Sequence, residues 1–433
     1  MSATLAGIIG LVLMLALIFA GVELGFAFAA AGFIGITLFM GPQTGLSLFK
    51  SIPLSQAMTY SLSVLPMFML MGDFTLAGGL TTDAYGAARS FLGRQRAGLA
   101  NTSTVASAIF GAICGSAQAT AMVMSQIAWP EMKKVGYDSR LGLCSIAAAG
   151  PLAILIPPST PMMIFGILSG ASVGKLFMAG WIPGIILTLT MCGINIYLAT
   201  RHKDWAPKTD KTSRKEKIKS LLQAWSILLL VIVIMVCIWG GITTVNEAAG
   251  IAVIVTLIII ICKRRCGIKQ LWLTLVKSCR GAAGLFFMFI GIQIFNSFLS
   301  MTGITGALTK FVTGLPLSRY AIIWAIVVMY LILGMFIDAP VMMTLTIPIV
   351  APVVAALGFD LVWYGIISVL CSALGMITPP VGICLFVIGN QCKDVPLSTV
   401  MKNIWPYVIA VLVIIALVIY IPQLALWLPS IMV

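Results

Sequence analysis

Charged residues are scarce in this chain of 433 residues. They make up 9% of the sequence, whereas 61% of the residues are hydrophobic and the mean hydropathy is +1.11. Soluble domains carry about a quarter charged residues, so this scarcity excludes an ordinary soluble globular protein. We therefore predict an all-α membrane protein that crosses the lipid bilayer many times.

Histidine is almost absent, and acidic residues are few. The one histidine, His202, lies in a basic loop, and the chain has only 12 Asp and Glu residues. The ten cysteines are scattered without the spacing of metal ligands. These absences argue against a transition-metal site and an organic cofactor. They also make an intramembrane enzyme a weak interpretation, because a nucleophile would lack a nearby base.

The formal net charge of +14 comes from 26 Lys and Arg residues. Most of them lie in short loops between apolar runs, a pattern that orients a membrane protein and does not indicate a nucleic-acid partner. No Lys or Arg precedes Lys50. This asymmetry predicts an N-terminus outside the cytoplasm.

Apolar runs predict the membrane spans. We place them at about 4–20, 22–41, 60–78, 141–170, 176–199, 222–240, 248–262, 282–300, 362–390 and 405–428. The basic segment 201–221 is predicted to be a cytoplasmic linker between two halves, 1–200 and 222–433.

Two further runs have the features of re-entrant hairpins. The first, about 103–132, has basic residues on both flanks, which places both of its ends in the cytoplasm, with its turn in "GAICGSAQAT" at 111–120. The second, about 321–357, turns near "FIDAPVMMT" at 336–344, and its flanks are poor in basic residues. We expect its open end on the other side of the membrane.

The two halves repeat one set of turn-forming residues at a shared offset of 222. The pairs are Pro130 with Pro352, Gly136 with Gly358, Asp138 with Asp360, and Pro157-Pro158 with Pro379-Pro380. An offset shared by so many residues indicates an internal repeat. Because the predicted topology runs the halves in opposite directions, we predict inverted repeats with broken helices at 141–170 and 362–390, as in secondary transporters.

A broken membrane helix leaves free peptide groups at membrane depth. Half-helix N-termini favour anions, and unwound carbonyl groups can coordinate Na⁺. We therefore predict a shared sodium and substrate site beside each break. In the first half its residues are Gly115, Ser116, Thr120, Pro158, Ser159 and Thr160, and in the second half Asp338, Ala339, Thr344, Thr378, Pro379 and Gly382.

Other interpretations of these residues stay open. A proline pair can merely kink a membrane helix, and a Ser or Thr hydroxyl can bond to the preceding turn. Asp338 is either an ion contact or a helix cap, although an acid inside the membrane is a functional candidate by default. Asp73, near the end of a span, is interpreted as structural.

At these residues the sequence resembles the large membrane subunit of the tripartite ATP-independent periplasmic (TRAP) transporters. The resemblance depends on "WPEMKKVGYD" (129–138), "ILIPPSTPMMIFGILSGASVGKLFMAGWIPG" (154–184), "FIDAPVMMTLTIPIVAPVVAALGFD" (336–360) and "GMITPPVGICLFVIG" (375–389). It covers nearly the whole chain.

The resemblance implies more than the residues alone. It implies an elevator-type fold of the ion-transporter superfamily in the bacterial inner membrane, with Na⁺-coupled uptake of a small carboxylate or sulfonate and at least two coupling ions. It also implies two partners, a small four-helix membrane subunit as a separate chain and a periplasmic binding protein. A self-sufficient symporter of divalent anions and an ion channel remain as alternatives.

Overall fold

The computed structural model describes residues 3–207 and 214–431. In these two ranges the chain forms α-helices and two short 3-10 helices, without a β-strand. Eight helical stretches of the described chain are long and apolar enough to cross a membrane. The prediction of an all-α polytopic membrane protein is confirmed.

Eleven α-helices precede the gap in the described chain. They are α1 (Ala3–Phe19), α2 (Leu24–Met40), α3 (Pro42–Ala57), α4 (Val64–Ala77), α5 (Leu80–Leu92), α6 (Gly98–Cys114), α7 (Ala117–Val135), α8 (Ser139–Ala149), α9 (Leu152–Leu155), α10 (Thr160–Ser169) and α11 (Val173–Arg201).

Eleven more follow it. They are α12 (Arg214–Trp239), α13 (Val245–Cys262), α14 (Ile268–Thr302), α15 (Ile304–Thr313), α16 (Arg319–Phe336), α17 (Ala339–Ala356), α18 (Leu361–Ile377), α19 (Ile383–Gln391), α20 (Leu397–Asn403), α21 (Trp405–Tyr420) and α22 (Gln423–Ile431). Helices α16, α17, α18 and α19 begin 221 to 223 residues after α6, α7, α8 and α10.

Two pairs of consecutive helices are each joined by a turn of two residues, within the segments predicted as hairpin turns. Helices α6 and α7 are joined by Gly115 and Ser116, and α16 and α17 by Ile337 and Asp338. Gly115 has a φ of +61°, a left-handed conformation that glycine adopts without the cost of a Cβ clash. Ser116 and Asp338 are the N-caps of α7 and α17, because each side chain accepts a backbone N–H of its helix.

Two helices are interrupted at their proline pairs. In the first half, residues 150–159 separate α8 from α10 and contain only the short helix α9. In the second half, α18 continues to Ile377, and five residues then separate it from α19. The first break is longer because Pro151 interrupts its helix, whereas Ala373 stands at the same place in the second repeat. Both Pro-Pro peptide bonds are cis.

The two repeats pack together across their hairpins. Helix α10 packs on α17, and α19 packs on α7. In the α7–α19 contact Gln126 donates a hydrogen bond to Gln391 at 3.1 Å, and next to it Lys133 of α7 forms an ion pair at 2.8 Å with Asp394, in the segment after α19. The hydrogen bond from Lys133 lowers the pKa of the Asp394 carboxyl. Each hairpin therefore contacts the second half of the other repeat's broken helix.

Three features of the structure differ from the sequence prediction. The predicted linker 201–221 is partly helical, because α12 begins at Arg214, and its residues 208–213 lie outside the described chain. The span predicted at 282–300 belongs to a continuous helix, α14, that begins at Ile268. The span predicted at 405–428 is two helices, α21 and α22, which are separated where Pro422 removes a backbone donor.

Candidate functional site

The turns of both hairpins line one cavity of about 340 Å³. Four of the predicted site residues contribute to its wall, namely Gly115, Ser116, Thr160 and Asp338. Further wall residues come from α4 and α14, which belong to neither hairpin nor to a broken helix. The cavity thus brings together the first hairpin, the first break and the second hairpin.

Gly115 lies directly against the first helix break. A Cβ atom built on it would come within 3.1 Å of the Thr160 hydroxyl oxygen and 3.3 Å of the Pro158 carbonyl oxygen. A side chain at this position would therefore displace the break. The close approach places two oxygen atoms beside the hairpin turn, and oxygen is the ligand that hard cations prefer.

Three helix N-termini contribute to the cavity wall. The first turns of α7, α10 and α17 do so through Ala117, Thr160 and Pro340, among other residues. Helix N-termini carry partial positive charge and favour anions. The cavity therefore combines a lining that favours an anion with oxygen atoms that favour a cation.

Asp338 supplies a carboxylate to this cavity. One of its oxygen atoms, Oδ1, accepts the backbone N–H of Ala339 at 2.8 Å, so the side chain caps α17. Among the described residues, no hydrogen bond to Oδ2 is present. The capping and ion-contact interpretations are therefore compatible, since one oxygen caps the helix and the other is free to face a cation.

Ser159 and Thr120 do not line the cavity. The buried Ser159 hydroxyl donates to the Ile154 carbonyl at 2.5 Å and accepts the Met162 N–H at 3.4 Å. These two bonds fix the shape of the first break. Thr120 is buried one turn after Ser116, and its hydroxyl has no hydrogen-bond partner in the described chain.

The predicted residues of the second break do not line this cavity. Thr378 donates its hydroxyl to the Leu374 carbonyl at 2.6 Å, and Pro379 follows it. The Gly382 N–H donates to the Met335 carbonyl at 3.1 Å, which ties the second break to the end of α16. Ala339 and Thr344 are buried within α17, where the Thr344 hydroxyl donates to the Val341 carbonyl at 2.7 Å.

Sequence reasoning missed the wall formed by α4 and α14. Asp73 of α4 and Lys277 of α14 both line the cavity and form an ion pair at 2.8 Å. Ser278 also donates to Asp73, at 2.7 Å. The sequence interpretation treated Asp73 as structural and did not place this residue at the site. The one sequence feature that could have indicated this wall is the acidic Asp73 within an apolar span.

Comparisons with known proteins agree on one family. The family model described as "Tripartite ATP-independent periplasmic transporter, DctM component" matches residues 11–424. The C4-dicarboxylate TRAP transporter large permease protein DctM of Pseudomonas aeruginosa is 32% identical over 86% of this chain and 86% of its own length. The sialic acid TRAP transporter large permease protein SiaM of Vibrio cholerae is 27% identical over 96% of both chains.

A solved structure shares the fold. The YdaH transporter of Alcanivorax borkumensis superposes with a TM-score of 0.64, covering 89% of each chain at 14% sequence identity. At this identity the likeness concerns the fold alone.

Proposed function

The chain belongs to the DctM component family of the tripartite ATP-independent periplasmic transporters, and from this premise we propose that it takes up a small organic anion by Na⁺-coupled secondary transport. The relatives described above are named for a C4-dicarboxylate and for sialic acid, both of which are carboxylates. We therefore propose a small carboxylate or sulfonate as the substrate, the sulfonate because a further relative is named for isethionate. Transport of organic acids is the activity of the family.

The observation that supports this proposal most strongly is the composition of the cavity wall. Three helix N-termini offer an anion partial positive charge, while Asp338 and the oxygen atoms beside Gly115 offer a cation negative charge. An anion and a cation can bind here next to each other. Neither alone neutralises the wall.

Coupling follows from this arrangement. An organic anion that enters without a cation meets the Asp338 carboxylate, and like charges at short range repel strongly in a site of low dielectric constant. Na⁺ ions bound at the Pro158 and Thr160 oxygens in the first half and at Asp338 in the second half remove this repulsion. By thermodynamic linkage, the anion in turn raises the affinity for Na⁺ by the same factor. We propose at least two coupling ions, one at each helix break.

The transport step is proposed to be an elevator movement. The two hairpins and the two broken helices pack against each other. Residues of both hairpins and of the first broken helix line the cavity together with α4 and α14. The packed hairpin unit carries the loaded site across the membrane, while the remaining helices stay fixed with a small four-helix membrane subunit. A periplasmic binding protein delivers the substrate.

Reconstitution tests this function. The protein is co-purified with its small subunit, placed in liposomes and supplied with its binding protein and a labelled succinate or sialic acid. We expect saturable uptake that requires an inward Na⁺ gradient and the binding protein. Equal uptake without the binding protein would favour the self-sufficient symporter, and a large passive conductance would favour the channel.

Ser159→Ala is expected to raise the Na⁺ concentration for half-maximal uptake about three- to tenfold. The change removes the hydroxyl that holds the break at Ile154 and Met162, and a hydrogen bond of this kind contributes about 1 kcal/mol. The loss loosens the Pro158 and Thr160 oxygens beside Gly115.

The control is Ser172→Ala. Ser172 caps α11 by accepting the Lys175 N–H at 3.4 Å, and it does not line the cavity. Both variants lose a serine cap, but only Ser159→Ala should change the Na⁺ dependence of initial uptake rates. The same Na⁺ dependence in both variants would contradict the assignment.

A further inference from the structure

Lys277 is the one basic side chain on the cavity wall within the described chain. It lies on α14, and its side chain is 72% exposed, so its ammonium group reaches open space. Its partner Asp73 lies on α4 and is only 17% exposed. The pair lines the same cavity as Ser116 and Asp338, the residues of the two hairpin turns.

The hydrogen bonds of this pair leave donors unused. A lysine ammonium group has three N–H donors, and the structure gives Lys277 one partner, the Asp73 Oδ1 atom at 2.8 Å. The second oxygen of Asp73 accepts the Ser278 hydroxyl, and Ser278 is buried. Asp73 is thereby fixed from two sides and orients the ammonium group, which still has two donors to offer to a ligand.

The charges around the cavity leave the Lys277 ammonium group available to bind an anion. The charged side chains of the described residues around the cavity are Asp73, Lys277 and Asp338. Lys277 neutralises Asp73, and the cation of the proposed function neutralises Asp338. An organic anion then finds a wall with no net repulsion. Lys277 is the side chain that can form a charge-assisted hydrogen bond with its acidic group.

We propose that Lys277, oriented by Asp73, binds the acidic group of the organic anion at the wall formed by α4 and α14, in the state in which the hairpin unit faces this wall. This inference depends on the proposed function, since it assigns a contact for the anion that the protein carries. The hairpin side supplies the helix N-termini and the cation, and the α4–α14 side supplies the ammonium group. Lys277 adds no binding affinity for a ligand that lacks an acidic group.

The opposing interpretation is a purely structural ion pair that joins α4 to α14. The two interpretations differ in what happens when both charges are removed. A structural pair tolerates double neutralisation, because no unpaired charge remains. A ligand contact does not tolerate it, because the donor for the anion is still missing. The double variant Asp73→Asn/Lys277→Gln therefore separates the two.

The experiment measures ligand binding by thermal stabilisation of the complex purified with its small subunit. A ligand that binds the folded state raises the melting temperature with concentration, so each series gives a half-saturating concentration without the binding protein. Succinate and sialic acid are titrated at saturating Na⁺, and Na⁺ is titrated separately. The variants are Lys277→Gln, Lys277→Arg, Asp73→Asn and the double variant, with Lys269→Gln as the control on an exposed part of α14.

We expect Lys277→Gln to raise the half-saturating anion concentration about tenfold or more, with the value for Na⁺ alone unchanged. Lys277→Arg should keep most of the affinity, and Asp73→Asn should lose less than Lys277→Gln. The double variant should bind the anion as weakly as Lys277→Gln, and Lys269→Gln should match the wild type.

Two results would overturn the proposal and leave the proposed function intact. One is an unchanged anion titration in Lys277→Gln, and the other is recovery of wild-type anion binding in the double variant. A wild-type complex that neither anion stabilises, and that shows no Na⁺-driven uptake of either, would overturn the proposed function and this contact with it.

Discussion

Replacing Asp338 with Asn should abolish Na⁺-driven uptake or raise the half-saturating Na⁺ concentration more than about tenfold. Asparagine keeps the size of the side chain and an oxygen that can accept the Ala339 N–H, but it removes the negative charge. In the proposed mechanism, this carboxylate is the charged ligand of a coupling ion. Initial uptake rates in proteoliposomes over a series of Na⁺ gradients measure the effect.

A serine at the same position separates the two roles of Asp338. Serine is as good an N-cap as aspartate, so Asp338→Ser keeps the cap of α17 and loses the charge. If capping were the whole function of Asp338, this variant would transport like the wild type. We expect it instead to lose Na⁺ coupling as fully as Asp338→Asn.

The chain contains a matched control for this pair of variants. Asp360 caps α18 by accepting the N–H groups of Val362 at 2.7 Å and Trp363 at 3.1 Å, and it does not line the cavity. Asp360→Asn and Asp360→Ser should change the melting temperature only modestly and leave the Na⁺ dependence as it is. Loss of Na⁺ coupling in the Asp360 variants too would show that acidic caps are generally required, and the assignment to Asp338 would fail.

The sequence predicts the hairpins and breaks well because their signals are local. The second hairpin is predicted at about 321–357 with a turn at 336–344, and the structure forms its turn at Ile337 and Asp338. Proline and glycine act on the residues beside them, so a break or a turn is visible within a few positions. Because the same prolines and glycines recur 222 residues later, each turn and break is indicated twice.

The continuous helix α14 is not predictable by the same reasoning. Its basic residues from Lys269 to Arg280 have the appearance of a cytoplasmic loop, so the span is predicted to begin only at 282. In the structure these residues lie on a helix that continues into the membrane span. Long basic side chains can place their charge in water from a helix surface, and charge alone therefore does not end a helix.

The wall of α4 and α14 also lies beyond sequence reasoning. Asp73 and Lys277 are 204 residues apart, and no spacing or motif connects them. They come together because α4 and α14 pack side by side. Sequence patterns do not reveal which distant helices pack together. The part of the site built from hairpins and breaks is predictable, whereas the part contributed by α4 and α14 is not.

Gly375→Ala is expected to lower the melting temperature strongly and to abolish uptake. Helices α16 and α18 cross with their backbones in contact, because a Cβ atom on Gly375 would lie 2.5 Å from the Gly334 Cα and carbonyl carbon atoms. Carbon atoms pack at about 3.5–4.0 Å, so one methyl group forces the helices apart. Overpacking of this kind costs about 1–3 kcal/mol or more.

The loss of uptake follows from the place of the crossing. Gly375 lies three residues before Thr378, where the second break starts, and the Gly382 N–H holds that break to Met335 at 3.1 Å. A displaced α18 removes this bond and moves the break away from the hairpin. The measurements are the melting temperature of the detergent-purified protein and its uptake after reconstitution.

Two further glycine variants, one in the first repeat and one in α14, test whether steric overlap causes the expected loss of stability and uptake. Gly111→Ala should behave like Gly375→Ala, because a Cβ atom there would lie 2.3 Å from the Ala153 Cα atom at the matching crossing. Gly284→Ala in α14 should be neutral or slightly stabilising. A Cβ atom built on Gly284 would have no described atom within 4 Å outside the backbone of its own helix, and alanine favours a helix over glycine by about 1 kcal/mol. Wild-type stability in both crossing variants would mean that the helices do not approach this closely. Destabilisation by Gly284→Ala as well would remove the steric explanation. If only the two crossing variants lose transport, backbone contact at these glycines holds each break beside its hairpin turn.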